Sequence, residues 1–202
     1  MERPSPPTRN WKSSVNLKGL SLTEVAAVVA EHLKAQEIEL VVVGGSAITA
    51  HVPQVYTSQD IDFANPSGNS LRSLAEALKP IGFEKIDRVF VHPSTAYTVD
   101  FVADTPSIDA RQIFDFVPIK TAHGTVMVYS LEDAIADRVA AFLHWSDSES
   151  LDVAESTVAA ARGRLTWHKI DDALQLLDAS DPDTQLRFKL ARERLEKAFK
   201  GA

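Results

Sequence analysis

Apolar residues recur at helical spacing first in Val25, Val28, Val29 and Leu33, behind a capping box made by Ser21 and Glu24, and this predicts a helix of about 15 residues. Ile38 to Val43 is rich in β-branched residues and stops at Gly44 and Gly45, as a buried strand does; Ser46 to Val52 then turns helical. Asp60, Ile61, Asp62, Phe63 and Ala64 alternate polar and apolar, the mark of a half-buried strand. Leu71, Leu74, Ala75 and Leu78 give the stripe of a further helix, closed by Lys79, Pro80, Ile81 and Gly82. Strands are expected over 83–91 and 96–103, and a hairpin over 114–121 and 125–129 around His123 and Gly124. From Ser130 the period changes to that of a helix and stays there, with a stripe of Leu131, Ala134, Ile135, Val139 and Phe142 and later helices at 149–162, 167–178 and 183–199. Residues 1–18 hold three prolines and no apolar period and read as a mobile arm. The pattern therefore divides the chain into an arm (1–18), an α/β core (19–130) and a helical C-terminal region packed on it (131–202).

Composition narrows the class. With 202 residues, 45% hydrophobic and 24% charged, the chain is long and apolar enough to bury a core, which excludes disordered and collagen-like polymers. It has no cysteine, which removes disulfide scaffolds, zinc-thiolate sites and thiol nucleophiles. No apolar run approaches the roughly 20 residues of a membrane span, and no secretory segment follows Met1, so a soluble cytoplasmic protein without membrane partners is the expectation. The net charge of −7 is uneven: residues 1–18 carry +3, residues 187–202 carry +4 and the stretch between them −14. Such a middle is not a broad nucleic-acid platform, whereas an acidic surplus fits cation sites as well as a solvated surface.

Two local patterns carry chemistry. A strand followed by Gly44, Gly45, Ser46 and a helix presents consecutive backbone N–H groups at a helix N-terminus, where phosphate binds well; a tight turn alone would use the same glycines. Asp60 and Asp62 lie two apart on a strand, so both carboxylates leave the same face while Ile61 and Phe63 enter the core. Two adjacent anions repel unless they are solvated or share a divalent cation. Asp100, flanked by Val99 and Phe101 on the predicted strand 96–103, is a third carboxylate in the same setting. Three carboxylates on adjacent strands suit two oxygen-seeking ions, one activating an acceptor hydroxyl and one neutralising a phosphate leaving group.

These residues resemble the nucleotidyltransferase superfamily with a polymerase-β-like palm, and more closely its small prokaryotic branch of abortive-infection type IV toxin nucleotidyltransferases. The likeness spans about residues 20–155 and rests on the glycine pair followed by Ser46 and Ala47, then Ser58, Gln59, Asp60, Ile61 and Asp62 in place of Thr-x-Asp-Ile-Asp. Thirteen residues separate Ser46 from Asp60, at the long end of that pattern. The resemblance implies an α+β fold, a mixed sheet flanked by helices and followed by a helical appendage. It implies that Asp60, Asp62 and Asp100 hold two Mg²⁺ ions, with Mn²⁺ as a substitute, and that Gly44, Gly45, Ser46 and Ser58 take the nucleotide. Arg138 stands where a phosphate-reaching Lys is usual, and Asp152 resembles the acidic residue closing that block; Tyr56 replaces a usual Arg four positions before the first Asp. The implied activity is Mg-dependent transfer of a nucleoside monophosphate, from ATP or another NTP, to a hydroxyl of tRNA, protein or a small molecule. As a toxin-antitoxin component it would have a cognate antitoxin or operon partner. The alternative is an inactive nucleotide-binding or interaction module of the same fold.

Other features argue for little. Histidines 32, 51, 92, 123, 144 and 168 lack paired metal-ligand spacing, Ser46 is not in a Gly-x-Ser-x-Gly elbow, and no Walker lysine follows Gly45. Trp11, Trp145 and Trp167 form no interleaved stacking platform. The last helix alternates Arg187, Lys189, Arg192, Arg194, Lys197 and Lys200 with Phe188, Ala191, Leu195 and Ala198, a solvated face or an RNA-docking one.

Overall fold

A computed structural model describes residues 15–201. The capping box forms as expected: Ser21 N–H donates to Glu24 Oε2 (2.8 Å), Glu24 N–H donates to Ser21 Oγ (3.4 Å), and α1 follows (Leu22–Lys34). Strand β1 (Val41–Val42) is shorter than the apolar run that announced it, although Ile38, Leu40 and Val43 are also buried. Gly44 begins α2 (Gly44–His51), and β2 covers Asp60–Ala64. Helix α3 (Leu71–Leu78) runs into a single 3₁₀ turn ended by Gly82 in the left-handed region.

The expected strand at 83–91 is instead a hairpin of β3 (Glu84–Ile86) and β4 (Val89–Val91). Asp87 reverses the chain with φ +54, a conformation that aspartate tolerates better than most residues, and nothing in the apolar alternation betrays it. Strand β5 is Thr98–Ala103, and a small ribbon of β6 (Ser107–Ile108) and β7 (Arg111–Gln112) follows, too short to leave a periodic signal. The hairpin of β8 (Phe116–Thr121) and β9 (Gly124–Tyr129) forms where expected. The helices α4 (Leu131–Trp145), α5 (Ser148–Ala161), α6 (Trp167–Leu174) and α7 (Pro182–Lys200) complete the chain. Helix α6 stops short of the expected residue 178, because Leu177 N–H turns back to Leu174 O (3.0 Å) and tucks its side chain into the core.

Seven strands form one mixed sheet in the order β3-β4-β5-β2-β1-β9-β8. The centre is set by β1, antiparallel to β2 and parallel to β9, with β5 parallel to β2 on the far side. Phe63 and Phe101 stack at 6.0 Å, and Phe90 meets Phe101 edge-on at 5.3 Å. The buried set continues from the sheet through Ile135, Val139 and Leu143 of α4 into Leu151, Val158, Ile170, Leu174, Ala191 and Leu195, so the C-terminal helices share the core. Among the described residues no helix is long and apolar enough to cross a membrane.

The expected arm falls outside the described residues up to position 14, and its last part is not an arm. Leu17 is 1% exposed, and its N–H donates to Ser94 Oγ (2.8 Å). Ser94 N–H donates in turn to His92 Nδ1 (3.2 Å), so the His92 proton sits on Nε2 and points at Ile81 O (3.1 Å). Burial holds the His92 pKa below its usual value, which keeps the ring neutral and the relay intact. Leu17→Ala should therefore destabilise the protein by about 2–4 kcal/mol, as deletion of a fully buried leucine does. Urea unfolding with an unchanged slope would measure this, and a loss below about 0.5 kcal/mol would return residues 15–18 to the arm.

Candidate active site

The site begins at the turn between β1 and α2. Gly44 takes φ +64, and a Cβ there would lie 2.9 Å from Asp62 Oδ2, so both conformation and close approach demand glycine. A Cβ on Gly45 would stand 3.0 Å from Tyr56 Cε1; the ring of Tyr56 covers that side of the turn. Val43, at the N-cap, supplies no side-chain acceptor, which leaves the first-turn N–H groups of α2 without a side-chain cap and suited to an anion.

Ser46 and Ser58 do not offer their side chains to a ligand. Ser46 is wholly buried; its Oγ donates to Val43 O (2.7 Å) and accepts from Asp62 N–H (3.1 Å). Ser58 is 8% exposed, its N–H donates to Thr49 Oγ1 (2.9 Å) and its Oγ accepts from Asp60 N–H (3.3 Å). The hydroxyls of Ser46 and of Thr49, which the sequence pattern did not single out, tie α2 to β2 and its approach, while the Ser58 hydroxyl holds the first N–H of β2. The two serine hydroxyls are thus engaged within the fold, and the first-turn N–H groups of α2 have no side-chain cap.

Strand register brings the carboxylates together. In the parallel ladder between β2 and β5, Asp62 faces Asp100 and Asp60 faces Thr98, whose hydroxyl donates to Asp60 Oδ1. Ile61, Phe63 and Val99 point to the opposite face and are wholly buried. Asp60 is exposed, and Asp62 and Asp100 are partly so. The Asp62 pKa is pushed up to about 6, first by burial, then by the negative charges of Asp60 and Asp100; Arg138 opposes the rise and Asp137 adds to it. Among the described residues no three His, Cys, Asp or Glu side chains converge into a ready-made metal cage. The donor set nevertheless fits a hard divalent cation: all oxygen, all anionic, on one face, with a charge stress that a cation relieves.

Helix α4 supplies the opposing charge. Its N-terminus is capped by Ser130, which accepts from Asp133 N–H (3.0 Å), and Arg138 lies in the following turns. Arg138 Nη2 pairs with Asp137 Oδ2 at 2.7 Å and Nη1 reaches Ser150 Oγ at 3.4 Å. Asp137 was not a sequence candidate, its only signal being adjacency to Arg138. Asp152 is paired with Arg194 of α7 at 2.7 Å. The basic face of α7 is largely spent on the fold, since Arg192 binds Asp171 (2.6 Å), Arg194 also binds Glu155, Lys200 binds Glu196 (2.5 Å) and Arg187 donates to Leu143 O.

No family model and no curated protein sequence matches the chain. Among solved structures it is similar to an antigenic nucleotidyltransferase-like protein from Paracoccidioides brasiliensis, at 15% identity over 92% of this chain and 95% of that one, with a TM-score of 0.54. It also aligns with the antibiotic-resistance factor ANT(2'')-Ia, at 16% identity over 89% and 93% of the two chains and a TM-score of 0.45. The fold is thus nucleotidyltransferase-like, a mixed sheet flanked by helices with helices at its C-terminal end.

A folded-state pKa of about 6 against 3.8 for an ordinary aspartate means that the native protein holds the Asp62 proton more tightly than the unfolded chain. Stability from this group is present at low pH and is lost as pH rises from 3.8 to about 6. Asp62→Asn should therefore be more stable than wild type at neutral pH, by about 1–3 kcal/mol, with the difference vanishing below the lower end of that window. Thermal melts across the range, with and without Mg²⁺, measure it; the cation should raise the wild-type Tm and move the variant less. A variant no more stable than wild type at neutral pH would show that the three carboxylates are solvated and independent.

Proposed function

We propose that the protein transfers a nucleoside monophosphate from an NTP to a hydroxyl acceptor, releasing pyrophosphate. The observation that carries this reading is the register that sets Asp100 beside Asp62, two residue pairs along from Asp60 on the same face, directly under the Gly44 turn. Asp60, Asp62 and Asp100 are the residues that would hold Mg²⁺ or Mn²⁺, which when bound lowers the pKa of an acceptor hydroxyl and screens the phosphates. The chain itself orients and neutralises. First-turn N–H groups of α2 receive phosphate oxygens, Arg138 adds a cation on the same side, and the carboxylate face receives the proton that leaves the acceptor. The acceptor oxygen bonds to the α-phosphorus as the bond to the bridging oxygen of pyrophosphate breaks.

The acceptor is favoured to be a small molecule or a protein rather than RNA. Phosphate affinity needs a cluster of unengaged cations, and Arg192, Arg194 and Lys200, half of the densest cluster in the described chain, are already paired with carboxylates. A second reading, a nucleotide-binding module without turnover, draws on the Tyr56 ring over Gly45 and on the inward Ser46 hydroxyl.

Incubation with Mg²⁺ and each labelled NTP, with protein extract, small hydroxylated acceptors or total RNA, decides between the two; label transfer that disappears in EDTA is the expected result. Asp100→Asn should bind Mg·NTP within about tenfold of wild type while losing transfer by orders of magnitude, because it removes stabilisation that matters at the transition state. Equal loss of binding and turnover would overturn that division of labour. Wild-type binding without transfer to any acceptor would favour the module.

A further inference from the structure

Helix α4 packs against α2, the helix that opens at the Gly44 turn. Arg138, on α4, is poorly used where it lies. Neighbouring side chains on a helix diverge by about 100°, so the 2.7 Å pair with Asp137 joins two side chains that the helix does not set face to face. The contact is single-pronged. Nη1 has only a 3.4 Å contact to Ser150 Oγ, whose own hydroxyl is donated to Asp147 Oδ2 (2.8 Å), and Nε is buried without a partner. On α7 the same side chain behaves differently: Arg192 grips Asp171 through both Nε (2.6 Å) and Nη2 (3.2 Å), and Arg194 uses Nε (2.8 Å) and Nη2 on Glu155. A guanidinium carries five donors in a fixed fork that matches phosphate, and a partly exposed ion pair contributes little net stability, so Arg138 can be traded to a better anion.

The geometry points to Asp137 as a positioning residue that holds Arg138 in the nucleotide-free protein and yields it to the phosphates of an incoming nucleotide. This rests on the nucleotidyl-transfer reading above. Asp137 competes with the phosphates for the arginine and repels them, so its charge opposes nucleotide binding; with that charge gone, Arg138 engages the nucleotide without first breaking a pair.

Calorimetric titration with Mg·ATP, Mg·GTP, Mg·CTP and Mg·UTP tests it in four proteins: wild type, Asp137→Asn, Arg138→Gln and the double variant. Asp137→Asn should tighten the best nucleotide about threefold to tenfold, Arg138→Gln should weaken it, and Asp137→Asn should bring no gain once Arg138 is gone. Asp137→Glu, which keeps the charge, should bind like wild type. Unchanged or weaker binding by Asp137→Asn overturns the proposal, the weaker case making Asp137 a cation ligand instead. An equal gain with and without Arg138 overturns it too, since Asp137 would then act through bulk charge alone. Wild type that binds none of the four nucleotides refutes the nucleotidyl-transfer reading itself, and the role of Asp137 falls with it; that result is distinct from a wild type that binds while the variants fail to shift.

Discussion

The hydroxyl of Ser46 is the joint on which the site depends. It accepts Asp62 N–H while donating to Val43 O, so one buried atom fixes the end of β1, the first turn of α2 and the middle of β2. Around it every contact is close. Gly44 can pass Asp62 Oδ2 only because it has no side chain, and Val43 N–H in turn donates to Asp62 O (3.0 Å). A helix N-terminus and a carboxylate strand are in this way brought face to face by hydrogen bonds that no ligand needs to make. A bound nucleotide would meet a site whose backbone is already in place, which is the condition for electrostatic stabilisation without reorganisation.

The sequence spoke clearly where a period or a cap dictates the backbone. Ser21 with Glu24, the alternation from Asp60 to Ala64 and the helical stripe after Ser130 all appear with nearly the expected bounds. The turn at Asp87 and the ribbon at 107–112 were illegible, because a single left-handed residue or a pair of two-residue strands leaves no repeat to read. Leu17 was hidden because the few apolar residues around it carry no period and its anchor, Ser94, lies 77 positions away. At the site, the shared face of Asp60 and Asp62 could be inferred from spacing, whereas the register that sets Asp100 beside Asp62 came from the sheet. Which hydroxyl points inward could not be inferred, and the hydroxyls of Ser46 and Ser58, two of the nucleotide candidates, are engaged in hydrogen bonds of the fold.

Charge is divided along the chain in a way that separates fold from chemistry. In the C-terminal helices, the carboxylates of Asp152, Glu155 and Asp171 meet the arginines of α7, and the pairs clamp α5 and α6 to the last helix. Among the described residues the carboxylates of β2 and β5 have no such ion pair; Asp60, Asp62 and Asp100 share one face, with Arg138 a cation acting on Asp62. The same residue type is thus satisfied in one half of the molecule and left in mutual repulsion in the other.

That contrast bears on why the repulsion persists. Replacing Asp62 with a neutral residue would cost the fold nothing that its backbone hydrogen bonds do not already provide, since Asp62 N–H and O are engaged by Ser46 and Val43 whatever the side chain is. Asp62, its carboxyl pKa raised by burial and by its acidic neighbours, therefore stands on a strand whose other face is fully packed, at a position where a neutral residue would fold as well. Local rules are broken in this way at places where a protein does something, and here the break coincides with an uncapped helix N-terminus and an underused arginine. Each of the three departures alone has an ordinary explanation in surface charge, turn geometry or side-chain packing. Their meeting around α2, β2 and α4 is what the nucleotidyl transfer proposed above would ask of this fold.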